Sequence, residues 1–277
     1  MPWQARLHLD YTLQDTGKTV LHHRHEGPLR LFHSLYPEGP AICHNVIIHP
    51  PGGLVEGDTL TIDVQVGPGA HGLLSTPGAT RFYRSTGEAA TQRVTLRLDE
   101  GARLEWVPLE TIAYPGCQGL NALDAHLGEG AELLAWDVTA LGLPASGQAF
   151  DRGCLRQHLQ IHPHWLEQGR LDASDDRLMT SATGLAGHRC MGTLVLASGS
   201  AWPRTHRETL LDAVRAVLPD NLDPLPAGAT CLNERLIVLR VLGPVVEPVM
   251  ALMQQAWAAL RSAAWGLPDR PPRIWSV

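Results

Sequence analysis

One stretch of the sequence brings together thiol, imidazole and carboxylate groups that could contact a metal ion. Cys43 and His44 are followed by His49, and a Gly- and Pro-rich segment then leads to Asp58. Thiolate and imidazole ligands suit late first-row divalent metals such as nickel, copper and zinc. The spacing is looser than that of a structural zinc site. Chemistry alone leaves two interpretations open: a set of ligands, or a buried cysteine, a hydrogen-bonded histidine and a capped turn.

Two other histidine groups are weaker candidates. His22, His23 and His25 lie in one run, but successive strand residues point to opposite faces, so only His23 and His25 could share an ion. We favour a solvated strand end for this run. His162 and His164 flank a proline, which indicates an exposed turn.

Patterns that resemble catalytic motifs lack the context that their chemistry requires. Lys18, the single lysine of the chain, follows Gly17 without the upstream glycine of a phosphate-binding loop, so we expect a hairpin turn there. The G-x-G-x-x-G pattern at 67–72 is soon followed by Pro77, which excludes the helix of a dinucleotide site, and we expect a turn there as well. A G-x-S-x-G elbow and a zincin motif do not occur in the sequence. These observations favour a binding or chaperone role over catalysis.

Regular alternation and an internal repeat predict the elements that position these residues. Residues 60–66, 93–98 and 131–136 have the pattern of strands. A Gly-Ala pair recurs at Gly69, Gly101 and Gly130, after 32 and then 29 residues, each time between two strand-like segments. We therefore predict a mainly β fold, a β-helix-like or solenoid stack of strands. The alternative is a sandwich with unrelated hairpins.

Helices are expected only in the C-terminal third. Thr205 and Glu208 form a capping-box pattern ahead of one apolar helix face. Pro248 can begin a second helix with apolar residues at helical spacing, and residues 235–242 between the two read as a buried strand. We predict one domain over 1–277, with a β-rich body (1–200) and an α+β layer packed on it (201–277).

Composition limits the class of protein. The chain has 277 residues and a net charge of −6, and only 18% of its residues are charged. It lacks the basic stripe that nucleic-acid binding needs, and the low charge favours a surface covered by other chains. Five scattered cysteines without a C-x-x-C pair, together with no signal-peptide or membrane-span pattern, predict a cytoplasmic protein that does not enter a membrane.

A set of ordered motifs resembles the urease accessory protein UreD family, called UreH in some bacteria. They are 35–39 (LYPEG), 43–44 (CH), 49–53 (HPPGG), 57–58 (GD), 76–85 (TPGATRFYRS), 104–112 (LEWVPLETI), 136–137 (WD), 141–144 (LGLP) and 272–275 (PRIW). They span nearly the whole chain. The sequence departs from the family at Glu56, where a glycine is usual, and matches it only loosely over 165–173.

The resemblance implies a role without catalysis. Family members assemble with UreF and the GTPase UreG, dock on apo-urease (UreABC) and assist the incorporation of nickel. They are thought to provide an internal passage for the metal on a β-helix-type fold. By this resemblance we expect transient nickel, no tightly bound cofactor and an accessory complex that can dimerise.

Within that interpretation we predict seven polar side chains along the nickel route. They are Cys43, His44, His49, Asp58, Glu105, Glu110 and Asp137. Because strand side chains alternate, roughly half of such residues should face solvent or partners instead. Two alternatives are a metal-dependent hydrolase on a β-solenoid and a purely structural adaptor without metal contact.

Overall fold

The structure is a computed structural model that describes residues 2–220 and 223–276. The strands in chain order are β1 (Gln4–Leu13), β2 (Thr19–Glu26), β3 (Arg30–Leu31), β4 (Ile42–Ile48), β5 (Thr59–Val66), β6 (His71–Ser75), β7 (Thr80–Phe82), β8 (Ala90–Leu98), β9 (Arg103–Trp106), β10 (Thr111–Ala113), β11 (Gln118–Leu127), β12 (Glu132–Leu141), β13 (Cys154–His162), β14 (Trp165–Asp172), β15 (Cys190–Ser198), β16 (Ala227–Asn233) and β17 (Leu236–Gly243). The helices are α1 (Asp176–Thr180), α2 (Arg204–Arg215) and α3 (Val246–Trp265), with 3₁₀ turns at Pro144–Ser146 and Arg273–Ser276.

Within the described ranges the strands form two large sheets around a shared core. The first sheet has seven strands in the order β14-β13-β11-β8-β5-β1-β2. The second has ten, with β16-β17-β15-β12-β9-β6-β4-β3 along its main path. Off this path, β10 pairs with β12, and β7 pairs with β10. Strands β5, β8, β11 and β13 pair in parallel, as do β6, β9 and β12. The chain thus winds as a β-solenoid of about 4 turns, which confirms the predicted fold class.

The Gly-Ala repeat marks the turns that connect the two sheets. Gly69, Gly101 and Gly130 have φ values of 66°, 63° and 66°, a region that favours glycine. The Gly69 amide donates to the carbonyl of Glu100, and the Gly101 amide donates to that of Glu129, at 3.0 and 2.9 Å. Each turn therefore stacks on the next.

The two false nucleotide motifs are turns, as predicted. Gly17, with φ of 77°, lies in the hairpin between β1 and β2, where the amide of Gln14 donates to the carbonyl of Lys18. The G-x-G-x-x-G segment contains the turn between β5 and β6.

The helix boundaries differ from those predicted. The capping box at Thr205 and Glu208 is wrong: α2 begins at Arg204 after Pro203, and no side chain caps it. The ring of Pro203 fixes a φ of −55°, which starts the helix early enough to place Thr205 inside its first turn. Helix α3 begins two residues before Pro248, because a proline in the first turn loses no helical hydrogen bond. Helix α1 lies in the β-rich body, ahead of the C-terminal third in which helices were predicted.

The second sheet is covered on both faces, and this decides where its polar residues point. Ala135 of β12 joins the core between the two sheets, whereas its neighbours Leu134 and Trp136 join a second core against α2 and α3. Trp257 of α3 is fully buried in that second core. The division into 1–200 and 201–277 stays a prediction. Within the described residues no helix has the length and apolarity of a membrane span.

Candidate functional site

A row of polar side chains crosses the core between the two sheets. Asn121 of β11 is paired with Gln92 of β8 on one side and with Gln157 of β13 on the other. Asp137 of β12 faces them from the second sheet. Asn121 Nδ2 donates to Asp137 Oδ2 at 2.7 Å and Gln157 Nε2 donates to Asp137 Oδ1 at 2.9 Å. Gln92 Nε2 donates to Asn121 Oδ1 at 3.1 Å, which extends the row by one strand.

Asp137 is an interior carboxylate held by neutral donors. Thr139 Oγ1 also donates to it, at 2.9 Å. Burial raises the pKa of Asp137 to about 6, the negative charge of Glu167 adds to the rise, and the hydrogen bonds from Thr139, Asn121 and Gln157 oppose it. The side chain therefore changes protonation near pH 6, and its negative form lacks a cationic partner among those donors.

Two cavities adjoin this row. The first, of about 140 Å³, reaches the segment from Thr76 to Arg81, which includes the start of β7. The second, of about 20 Å³, surrounds Asp137 and Asn121. Both are lined by Thr80, Gln92, Trp106 and Pro108, so they lie side by side and share a wall. A volume of this kind near 20 Å³ holds about one water molecule, so the space narrows strongly at Asp137.

His49 lines the first cavity. Its Nε2 is buried and has no hydrogen-bond partner in the described structure. Burial lowers the pKa of His49, and the nearby Asp58 carboxylate opposes this shift. A neutral imidazole with an unshared nitrogen is a suitable ligand for a late first-row metal.

The polar row continues toward the edge of the sheets. Thr193 of β15 is paired with Asp137 on one side and with Arg240 of β17 on the other. Arg240 forms an ion pair with Glu167 of β14, which links the second sheet to the edge of the first. Thr193, Arg240 and Glu167 line a cavity of about 460 Å³, called the edge cavity below.

Glu105 faces away from this row, toward helix α3. Its carboxylate accepts from Trp257 Nε1 at 2.7 Å and contacts His71 Nε2 at 2.9 Å. Arg261 Nε donates to both of its oxygens, at 3.1 and 3.0 Å. Burial would raise the pKa of Glu105, but His71, Arg261 and Trp257 together lower it.

His44 belongs to the same buried assembly. Its Nε2 lies 2.9 Å from Glu38 Oε1, and Arg261 donates to both oxygens of Glu38 at 2.8 and 2.7 Å. Burial would raise the pKa of Glu38, but His44 and Arg261 hold it at about 2. We call the five residues Glu38, His44, His71, Glu105 and Arg261 the buried charge network. It anchors α3 to the second sheet.

The other predicted residues lie apart from the row. Asp58 accepts from the amides of Trp3 and Val55, at 2.6 and 2.9 Å, and so fixes a turn. Cys43 Sγ contacts the Asn45 carboxamide at 3.3 Å.

Glu110 lines a separate apolar groove of about 490 Å³ beside α3. Of the seven predicted side chains, therefore, only His49 and Asp137 border the two adjacent cavities. Their roles in metal contact stay predictions.

The histidine runs and the remaining metal candidates are dispersed. His23 and His25 stack at 6.3 Å between ring centroids on an exposed strand. His162 stacks on His126 at 4.2 Å. Across residues 2–220 and 223–276 no three His, Cys, Asp or Glu side chains form a metal-holding group.

Part of the polar row could have been found from the position of its residues within the sequence repeat, although their residue types alone did not indicate it. Gln92 and Asn121 each stand nine positions before a repeat glycine, Gly101 and Gly130 respectively. A polar residue at the same inward position of two solenoid turns places the side chains on neighbouring strands. Gln157 lies beyond the three repeat copies, and Glu167 lies in the segment that matches the family motifs loosely.

Comparison with known proteins gives one consistent family. The sequence model described as UreD urease accessory protein matches residues 4–276. Proteins named Urease accessory protein UreD are similar over the full length of both chains. They include those of Paracidovorax citrulli (54% identical), Variovorax paradoxus (52%) and a Polaromonas species (54%).

Proposed function

Because the chain belongs to the UreD family of urease accessory proteins, we propose that it carries nickel through its core during urease maturation. The family role is that of an accessory protein that supports maturation and not that of a catalyst. The observation that carries the proposal is the polar row that crosses an otherwise apolar core, with Asp137 at its centre.

The route follows the two adjacent cavities and then the edge cavity. His49 offers a neutral nitrogen in the first cavity, where several water molecules fit. At Asp137 the space admits about one water, so a hydrated Ni²⁺ has to exchange part of its shell there for protein oxygens. Beyond Asp137, Thr193 leads to Glu167 in the edge cavity.

The ligands along this route suit transfer and not storage. One carboxylate, amide oxygens and a hydroxyl form a weak set for Ni²⁺, which binds imidazole and thiolate more tightly. The proton competes as well, because the raised pKa of Asp137 leaves a fraction of it protonated near neutral pH. An ion held this weakly can move on.

The partners in this proposal are UreF, UreG and apo-urease (UreABC), in the cytoplasm. The GTPase step belongs to UreG, since the lysine of this chain lies in a hairpin turn. The low charge of the chain, 18% of residues, supports a surface that partners cover.

Asp137→Asn tests the route. The variant keeps the shape of the side chain and removes its charge, and we expect the nickel content and activity of urease to fall about tenfold or more when nickel is limiting. Asp63→Asn is the matched control, because Asp63 is a 41% exposed carboxylate in a long ion pair with Arg97. Co-purification of both variants with UreF, UreG and urease shows whether assembly is intact.

The outcomes separate the candidate functions. If the Asp137→Asn complex assembles and urease receives its full nickel, the route past Asp137 is rejected and a structural adaptor becomes the better-supported function. Hydrolase activity in the isolated chain, lost on chelation, would instead support the metal-dependent enzyme.

A further inference from the structure

The ion pair between Arg240 and Glu167 crosses from one sheet to the other at the end of the polar row. Glu167 lies on β14, the edge strand of the first sheet, and Arg240 lies on β17 of the second. The Arg240 side chain is 58% exposed, whereas that of Glu167 is 20% exposed. The cation of the pair thus stands on the solvent side, and the carboxylate stands on the interior side.

Glu167 is the next carboxylate after Asp137 along the row. Thr193 is the direct cross-strand neighbour of both Asp137 and Arg240. Arg240 contacts Glu167, so Thr193 and Arg240 connect the two carboxylates of the row. A cation between them would be attracted by both, but Arg240 already neutralises one of the two.

The exposure of Arg240 lowers the free-energy cost of separating it from Glu167. An arginine with most of its side chain in water regains hydration when it separates from a carboxylate, so such pairs add little to stability. A divalent cation that reaches Glu167 carries twice the charge and coordinates the carboxylate oxygens directly.

We propose that Arg240 gates the edge cavity: its guanidinium occupies Glu167 until a divalent cation takes its place. The identity of the cargo rests on the proposed function, but the gate is a property of this chain alone. Arg240 restricts cations when it is paired, and Glu167 attracts them when Arg240 is displaced.

Cysteine labelling in the edge cavity tests the gate. Thr193→Cys places a thiol at its buried wall, and Cys231→Ala removes the one cysteine that is not buried. The full chain is treated with aminoethyl methanethiosulfonate, which is cationic, and with sulfonatoethyl methanethiosulfonate, an anion of similar size. The ratio of the two labelling rates, after subtraction of the parent with Thr193, reports the charge selectivity of the cavity.

We expect Arg240→Gln to raise the cation-to-anion ratio about 25-fold, since the removal of one positive charge a few ångströms away in water-like surroundings raises the cation rate and lowers the anion rate by the same factor. Glu167→Gln should lower the ratio below that of the wild type, because it leaves the Arg240 charge unpaired. Arg170→Gln is the matched control on β14, an exposed arginine paired with Asp172 away from the row, and should leave the ratio unchanged.

An equal ratio in Arg240→Gln and Arg170→Gln would overturn the gate, and so would an absence of labelling at the introduced thiol in every variant. Thermal unfolding of each variant verifies that the fold is retained. A raised ratio in Arg240→Gln with full urease nickel in Asp137→Asn would keep the gate and reject the nickel route.

Discussion

Asp137 owes its properties to neutral hydrogen-bond donors in place of a charged partner. Two carboxamides and a hydroxyl hold its oxygens, at 2.7 to 2.9 Å. Glu105, one strand away in the same sheet, is fully buried beside an arginine. Burial raises the pKa of Asp137 to about 6, because its neutral donors offset burial only in part. At Glu105 burial acts in the same direction, but His71, Arg261 and Trp257 outweigh it and lower the pKa. A carboxylate without a cationic partner can attract another cation, whereas a carboxylate that is paired with an arginine stabilises the fold.

This contrast predicts a pH effect on stability. A carboxyl with a pKa of about 6 when folded and 3.8 when unfolded binds its proton more tightly in the folded state. Its contribution is complete below the unfolded value and is lost as the pH rises through about 6. We expect the free energy of unfolding of wild type minus that of Asp137→Asn to fall between about pH 4 and pH 7.

Guanidinium unfolding at several pH values measures this difference. The exposed Asp63→Asn variant is the control, with a difference from wild type that should vary less over the same range. If the stability difference between wild type and Asp137→Asn does not change with pH, the raised pKa of Asp137 is contradicted.

Helix α3 depends on one arginine. Arg261 has no exposed side-chain surface, and it joins Glu38 in the N-terminal part of the chain to Glu105 in the second sheet. Removal of one partner from a buried ion-pair network leaves the remaining charges without compensation. The network therefore holds α3 against one face of the second sheet. Asp137 of β12 points to the opposite face, toward the core between the two sheets.

Arg261→Met tests the anchor. The substitution preserves much of the side-chain volume, and we expect a loss of about 3–5 kcal/mol in the free energy of unfolding. Arg204→Met on α2 is the control, since its pair with Glu208 is exposed at 83% and 55% of the two side chains and its loss should have little effect. Chemical denaturation measures the free energy of unfolding of both variants. A similar, small loss in each would mean that the buried charge network does not stabilise the packing of α3.

At the scale of the whole molecule, the proposed route depends on several elements at once. The first cavity, the space at Asp137 and the edge cavity involve strands of both sheets from β4 to β17. Thr80 lines the junction of the first two cavities. A bulkier side chain there should interrupt the route without any change in its charge.

Thr80→Leu therefore should reduce urease nickel well below the wild-type level while the accessory complex still assembles. Thr91→Leu on β8 is the control of equal size, because Thr91 precedes the inward-facing Gln92 and points to the opposite face. Metal analysis of purified urease is the measurement. Equal nickel in both variants would mean that the junction is not part of the route.

The sequence by itself determined the class of the fold and the family. The glycines of the Gly-Ala repeat stand at equivalent turns where φ is positive. Because glycine is favoured there for local steric reasons, the turns can be predicted without the tertiary structure. The apolar face of α3 follows from helical spacing in the same way. The sequence did not determine where the helices begin, because a proline can stand just before a helix, as Pro203 does, or inside its first turn, as Pro248 does.

Only the tertiary structure decided which acids face the polar row. Strand residues alternate between two faces, and usually one face is polar, so the sequence pattern shows which residues face solvent. Here the second sheet is buried on both sides, so Asp137 and Glu105 look equivalent along the chain. The partner that fixes Glu105 is Arg261, 156 residues away. Contacts over that separation depend on how the sheets and α3 pack, and local sequence patterns do not contain that information.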